Sequence, residues 1–268
     1  MRVPTFVPSF DTISKGGVPD GSSILLLGQP GAGSLEFSLS SAANLSQAIK
    51  GKNFRELESF EIKLLKGIVY VSFSKPRSEI FRIINLSLEE KLASDLISLI
   101  DVLDYSRLFY QQTQIPLTWV GGGPTLRDRE NLITKFISDI ERSGKDKLII
   151  IDSLSDLLTS KYSQENNIFD LSRGLTRASK MWGSVIYVLM TTGIADKRAE
   201  TILMEIFDGT MQFEWSISER SSRRKRVMTI PKFIGVLPMI EAEKIERFDT
   251  EFEYKSGMVI LNKMKVIL

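Results

Sequence analysis

The chain of 268 residues contains no cysteine and no histidine. Without cysteine there is no disulfide framework and no thiolate metal site. Without histidine the commonest metal ligand and the usual general base are both missing, which excludes imidazole zinc sites and hydrolytic triads. Any catalysis would fall to carboxylates or lysines. The two absences are also compatible with a thermophilic source. An excess of charge of one sign is lacking too. The 35 Lys and Arg residues stand against 33 Asp and Glu, a formal net charge of +2, so no global field draws the chain toward nucleic acid or a membrane surface. No run approaches the roughly 18 apolar residues of a membrane span. The opening Met1-Arg2-Val3-Pro4-Thr5-Phe6 lacks the apolar core of a signal peptide. A cytoplasmic location without membrane contact is the expectation. What is present is ordinary for a globular chain: 43% hydrophobic and 25% charged residues, enough to build an α/β domain with a sizeable core.

Residues 1–20, punctuated by Pro4, Pro8, Gly16, Gly17 and Pro19, predict an extended lead-in and a turn. Ser23 to Leu27 is a short apolar strand. Leu35 to Ile49 places Phe37, Leu39, Ala42, Ala43, Leu45 and Ala48 at helical spacing. Gly67 to Phe73 reads as a second strand, Glu79 to Leu103 as mostly helical, and Leu117 to Val120 as a third strand before Gly121-Gly122-Gly123-Pro124. Thr125 to Ser143 is an amphipathic helix with Leu132, Phe136, Ile137 and Ile140 on its core face. Lys147 to Ile151 is a buried strand ended by Asp152. A helix over Asn167 to Trp182 follows, with Met181 and Trp182 expected in the core, then strands over Gly183 to Met190 and Gly209 to Trp215. From Val227 the pattern turns to short strands: Val227 to Ile230, Phe252 to Tyr254 and Met258 to Leu261. Short apolar strands alternating with helices imply βαβ units and a mostly parallel sheet. The strand-rich residues 227–268 predict antiparallel additions at one edge. With no repeat and no long linker, one domain over 1–268 is expected.

Gly28-Gln29-Pro30-Gly31-Ala32-Gly33-Ser34-Leu35 has the spacing of a phosphate-binding loop behind a buried strand, G-x-x-x-x-G-K-[ST]. Ser34 stands at the lysine position and Leu35 at the hydroxyl position. The lysine neutralises the β- and γ-phosphates and the hydroxyl ligates Mg²⁺, each a charge-assisted contact worth about 1.5–3 kcal/mol. Glu36 adds a negative charge in the first helical turn. A plain strand-to-helix turn, with Gly28, Gly31 and Gly33 serving tight geometry, accounts for the segment. The backbone N–H groups of Gly31 to Leu35 still offer weak ATP, ADP or phosphate binding at a helix N-terminus. No cofactor is required by this pattern.

Gly16-Gly17-Val18-Pro19-Asp20-Gly21-Ser22 before that strand and loop resembles the opening of KaiC-like ATPases of the RecA superfamily. The resemblance continues through Val69-Tyr70-Val71-Ser72-Phe73, Leu148-Ile149-Ile150-Ile151-Asp152-Ser153-Leu154 and Phe207-Asp208-Gly209-Thr210-Met211, then Ile230-Pro231-Lys232-Phe233-Ile234-Gly235 and Ser256-Gly257-Met258-Val259-Ile260. It spans roughly residues 12 to 262. It implies a RecA-like P-loop NTPase fold, a mainly parallel central sheet flanked by helices with antiparallel C-terminal strands.

The resemblance also implies sites, and several are altered. Where the family carries paired glutamates that activate water, this chain has Ser74-Lys75, and neither is a carboxylate base. Asp152 matches the Walker B aspartate that orients Mg²⁺, although an Asp there also caps the helix that follows. The Lys-x-Arg-Gly segment that reaches a neighbouring subunit's γ-phosphate is matched by Lys232-Phe233-Ile234-Gly235: Lys232 is kept and Ile234 replaces the arginine. No catalytic residue is assigned. The implied function is that of a pseudo-ATPase, a regulatory or scaffolding partner of another protein such as an active paralogue. An ATPase with an atypical site that uses displaced groups such as Lys75 or Lys232 is the alternative.

One basic run stands out, Arg220-Ser221-Ser222-Arg223-Arg224-Lys225-Arg226. It reads as a solvated hairpin or loop before the strand at Val227. Arg220, Arg223, Arg224, Lys225 and Arg226 would alternatively contact nucleic-acid phosphates, as in a DNA-binding recombination accessory protein, but no aromatic residue is interleaved to stack bases. The apolar Phe6, Val7 and Phe10 either pack on their own domain or add to a neighbouring subunit in self-association.

Overall fold

Short β-branched runs dominate the centre of the chain, and in the computed structural model they form one sheet. The structure describes residues 1–111, 113, 115–120, 131–160, 168–217, 224–243 and 245–265. In chain order the strands are β1 (Arg2–Val3), β2 (Val18–Pro19), β3 (Ser23–Gly28), β4 (Ile68–Ser72), β5 (Ile100–Asp104), β6 (Leu148–Asp152), β7 (Val185–Thr191), β8 (Gly209–Ile217), β9 (Arg224–Phe233), β10 (Ile245–Glu253) and β11 (Gly257–Lys265). The helices are α1 (Pro8–Ile13), α2 (Ser34–Ile49), α3 (Arg77–Ser87), α4 (Glu90–Ile97), α5 (Ser106–Tyr110), α6 (Leu132–Ser143), α7 (Leu154–Leu158), α8 (Ile168–Trp182), α9 (Lys197–Ile206) and α10 (Leu237–Ala242).

Nine strands lie in the order β11-β10-β9-β8-β3-β7-β6-β4-β5. From β8 to β5 every pairing is parallel, and β9, β10 and β11 add antiparallel strands beyond β8. The central strands are buried on both faces, which is why they read as continuous apolar runs. Alternate residues nevertheless serve different cores. Ile24, Leu26, Ile68, Tyr70 and Ile150 join the layer under α2, α3 and α4. Leu25, Leu27, Val69, Val71 and Ile151 join the layer under α6, α7 and α8.

The N-terminal segment departs from the extended lead-in. It contains α1, and β1 pairs antiparallel with β2. Phe6, Val7 and Phe10 are buried against the rest of the chain, with Phe6 edge-on to Phe54 and Phe10 edge-on to Phe248. Gly17, at φ +107°, lies under β1, where a Cβ would fall 2.1 Å from the Val3 carbonyl oxygen.

Three further expectations are corrected. The stretch from Glu79 holds two helices and then β5, because Asp101 and Asp104 interrupt its apolar pattern at the exposed sheet edge. Leu117–Val120 is a 3₁₀ turn rather than a strand. Ile137 and Met181 are exposed, at 47% and 74%, rather than in the core. Residues 125–130 of the expected helix before α6 lie outside the described residues.

Candidate functional site

The parallel strands β3, β4, β6 and β7 all end at the same edge of the sheet, the edge where open α/β folds gather their ligands. Gly28 closes β3 and the glycine loop turns the chain into α2, with Gly31 at φ +71° and Gly33 at φ +129°. Gly33 is the N-cap of α2 and offers no side-chain cap, so Ser34 and Leu35 occupy the first helical positions. A cleft of about 280 Å³ lies beside the loop, lined by Gly28, Gly31, Ser34 and Leu35 and, from other strands, Lys75, Asp152 and Thr191. The fold therefore brings together every loop residue singled out in the sequence except Gly33, together with Asp152.

Asp152 sits at the end of β6 and is 6% exposed. It does not cap α7; Ser153 does, accepting a hydrogen bond from the Asp156 amide. The Asp152 Oδ2 instead accepts two hydrogen bonds, from the Tyr70 hydroxyl at 2.7 Å and from Lys75 Nζ at 2.8 Å. Two donors use both lone pairs of that oxygen. Lys75 is set by the turn after β4, where Ser72 Oγ donates to its carbonyl and accepts from its amide. Burial opposes the charge on Lys75, but Asp152, and then Asp156 and Glu79, outweigh it and raise its pKa, so the ammonium persists. Burial followed by Asp152 keeps Tyr70 a hydroxyl donor, far above its ordinary range. One turn on, Asp156 accepts from Ser74 Oγ at 2.8 Å. Burial raises its pKa against the opposing pull of Ser74 and Lys75. The positions that read as Ser74-Lys75 thus supply the cation and donor that hold two carboxylates. Among the described residues no group of three potential metal ligands occurs.

The opposite wall of the loop is built by the β8–β9 pair. Trp215 lies across from Arg226 in register. The Trp215 indole N–H donates to the Pro30 carbonyl at 3.1 Å, and its amide donates to Gln29 Oε1 at 3.0 Å. Arg226 Nε donates to the Gly31 carbonyl at 3.0 Å, and its guanidinium reaches Glu36 at 3.4 Å. Arg224 lies over the indole at 4.0 Å and Arg226 at 5.0 Å. The Glu36 charge that would repel an anion is therefore paired. Arg224, Lys225 and Arg226 belong to a strand rather than a loop, and Arg220 and Arg223 lie outside the described residues. Trp215 is the residue that the sequence pattern missed: its partnership with Arg226 follows only from the hairpin register.

Lys232 is not in the cleft. Its ammonium donates to the carbonyls of Met204, Glu205 and Phe207, the unsatisfied acceptors at the C-terminal end of α9. Ile234 is exposed beyond it. No helix among the described residues is long and apolar enough to cross a membrane.

No family model matches the sequence, and no curated protein matches it. Among solved structures, a KaiC-like protein of the hyperthermophilic archaeon Pyrococcus horikoshii superposes with a TM-score of 0.64 at 16% identity, covering 98% of this chain and 99% of that one. At that identity the likeness speaks for architecture alone: over nearly its whole length the chain has the RecA-like α/β fold seen in that KaiC-like protein.

Proposed function

We propose that this protein does not turn over nucleotide and works instead as a regulatory or scaffolding partner of another protein, such as an active protein of the same fold. The observation that carries this is the Lys75 ammonium 2.8 Å from Asp152. It occupies Asp152 Oδ2 together with the Tyr70 hydroxyl, and a divalent cation cannot share that oxygen with an ammonium without strong repulsion. Ser34 at the start of α2 puts no amine where phosphate needs one, and Leu35 puts no hydroxyl at the position that would reach metal. Ser74 and Lys75 are not carboxylates, and the two that lie beside them, Asp156 and Asp152, are held by their hydrogen bonds. The residues present do not fit a Mg²⁺–triphosphate. Retention of the fold alongside this chemistry favours a role in recognition.

Titration with a fluorescent ATP analogue and Mg²⁺, with phosphate release followed in parallel, tests the proposal. The expected result is no saturable binding in the micromolar range and no Mg²⁺-dependent release. Micromolar affinity with turnover overturns it and favours an ATPase with an atypical site.

A second reading rests on Trp215. The basic run lacks an interleaved aromatic, but the neighbouring strand places this indole under Arg224, the combination that single-stranded nucleic acid uses. It predicts DNA binding that weakens steeply with salt and falls when Arg224 and Lys225 become Ala. Arg226 is already committed to Gly31 and Glu36, which leaves this surface the weaker candidate. Anisotropy with a labelled oligonucleotide at two salt concentrations decides it: no binding at the lower salt removes the reading.

A further inference from the structure

A cleft of about 170 Å³ opens where the pairing of β10 with β9 ends, at Thr250 and Arg226. That is several times the roughly 30 Å³ of a water, room for one small polyatomic ion. β9 supplies Arg224 and Lys225 to it, β8 supplies Trp215, and β10 supplies Asp249 and Thr250. The register of β10 against β11 slips between Asp249 and Thr250, with the exposed Leu261 as the extra residue of β11. Bulges of this kind re-aim side chains and recur beside binding sites. Asp249 and Thr250 are buried, at 6% and 5% exposure, yet Asp249 Oδ1 and the Thr250 hydroxyl have no hydrogen-bond partner among the described residues. Arg247 Nε lies 3.8 Å from Oδ1, beyond hydrogen-bond reach. Lys225 Nζ lies 3.5 Å from the other carboxylate oxygen. Buried polar groups left open in this way call for an occupant.

Arg224 sets the opposite requirement. Its guanidinium lies over the Trp215 ring at 4.0 Å, and among the described residues it donates to no acceptor. A planar fork steadied by stacking recognises an oxyanion through two parallel hydrogen bonds. A carboxylate that needs a donor and a guanidinium that needs an acceptor together select a ligand that is both, an oxyanion carrying its own proton. We propose that this cleft binds inorganic phosphate, with Arg224 on its charged oxygens and Asp249 Oδ1 accepting a hydrogen bond from its hydroxyl. Sulfate has the same shape and at neutral pH no proton to offer Asp249. The phosphodiester of a nucleic acid lacks one as well, so the cleft is matched to free phosphate rather than to the DNA backbone. The inference needs neither nucleotide nor turnover, and it stands apart from the scaffolding role.

Calorimetric titration of the full chain with phosphate and with sulfate, at neutral pH and matched ionic strength, tests it. The wild type is expected to bind phosphate saturably and sulfate about tenfold more weakly or worse, because sulfate leaves the buried acceptor unpaired. Arg224→Ala, at an exposed position, loses phosphate with an unchanged circular-dichroism melt. Asp249→Asn turns an acceptor into a donor and removes the preference, so that sulfate binds as well as phosphate. Should that variant not fold, Arg224→Ala and the wild-type preference still decide. A wild type that takes up neither anion, or both equally, overturns the proposal. So does a chain that holds a labelled oligonucleotide through Arg224 and ignores phosphate, which assigns the surface to nucleic acid. Phosphate binding without oligonucleotide binding supports the proposal and removes the DNA reading.

Discussion

Lys75 and Asp152 come from the ends of different strands, 77 residues apart in sequence, and meet at 2.8 Å in the cleft beside the glycine loop. The pair is mostly out of water, with side-chain exposures of 30% and 8%. Removing one partner of such a pair leaves an uncompensated charge, which costs about 3–5 kcal/mol. Lys75→Met is therefore expected to lower stability by that order in urea unfolding, and Asp152→Asn likewise. The double variant should recover much of the loss. Additive losses in the double-mutant cycle would mean that the two groups are not coupled.

Trp215 and Arg226 hold the carbonyls of Pro30 and Gly31 from outside the loop. The indole contributes one hydrogen bond of about 1 kcal/mol and two cation contacts of about 0.5–1 kcal/mol each. Trp215→Ala is expected to speed amide exchange from Gly31 to Leu35 by about tenfold or more and to leave β6 protected. Unchanged exchange in the loop would show that the glycine turn holds itself.

Asp11 is fully buried, and its carboxylate accepts from the amides of Thr5 and Phe6 and from the Thr5 hydroxyl. Burial pushes its pKa up to about 7, although those three donors pull the other way. An acid whose folded pKa lies above its unfolded value binds more protons when folded. Its contribution is full below the unfolded value, about 4, and is lost as pH rises through about 7. The unfolding midpoint of the wild type should fall over that window more steeply than that of Asp11→Asn, which has no proton to lose. Parallel pH profiles would place the titration elsewhere.

Lys232 spans three carbonyls at the end of α9. Lys232→Met keeps the aliphatic stem and removes the donors, so stability should drop by about 1–3 kcal/mol. Exchange protection should be lost first in the last turn of α9. No change in that turn would argue that water replaces the ammonium at no cost.

Much of the fold was legible because the period of the apolar residues differs between strands and helices. The central strands β3, β4, β6 and β7 are buried on both faces and announce themselves as apolar runs. The glycine loop was legible from spacing alone. β5 was not, since an edge strand carrying Asp101 and Asp104 lacks that signature. Met181 was misplaced for a related reason. Ile168, Ser172, Leu175 and Ser179 form the buried stripe of α8, so two small hydroxyl residues face the sheet while a methionine faces out. The contacts that define the site were the least visible. Lys75 with Asp152, and Trp215 with Arg226, depend on strand order and register, which no local pattern encodes.

The seating of the N-terminal segment bears on how the chain reaches its final form. Arg2 donates to the carbonyl of Gly235, 233 residues later, and Phe10 packs on Phe248. During synthesis Phe6 finds Phe54 early, but the ring that Phe10 packs on does not exist until β10 emerges. Full closure of this segment is accordingly a late event in folding, and chains truncated before β10 will leave Phe10 without its aromatic partner.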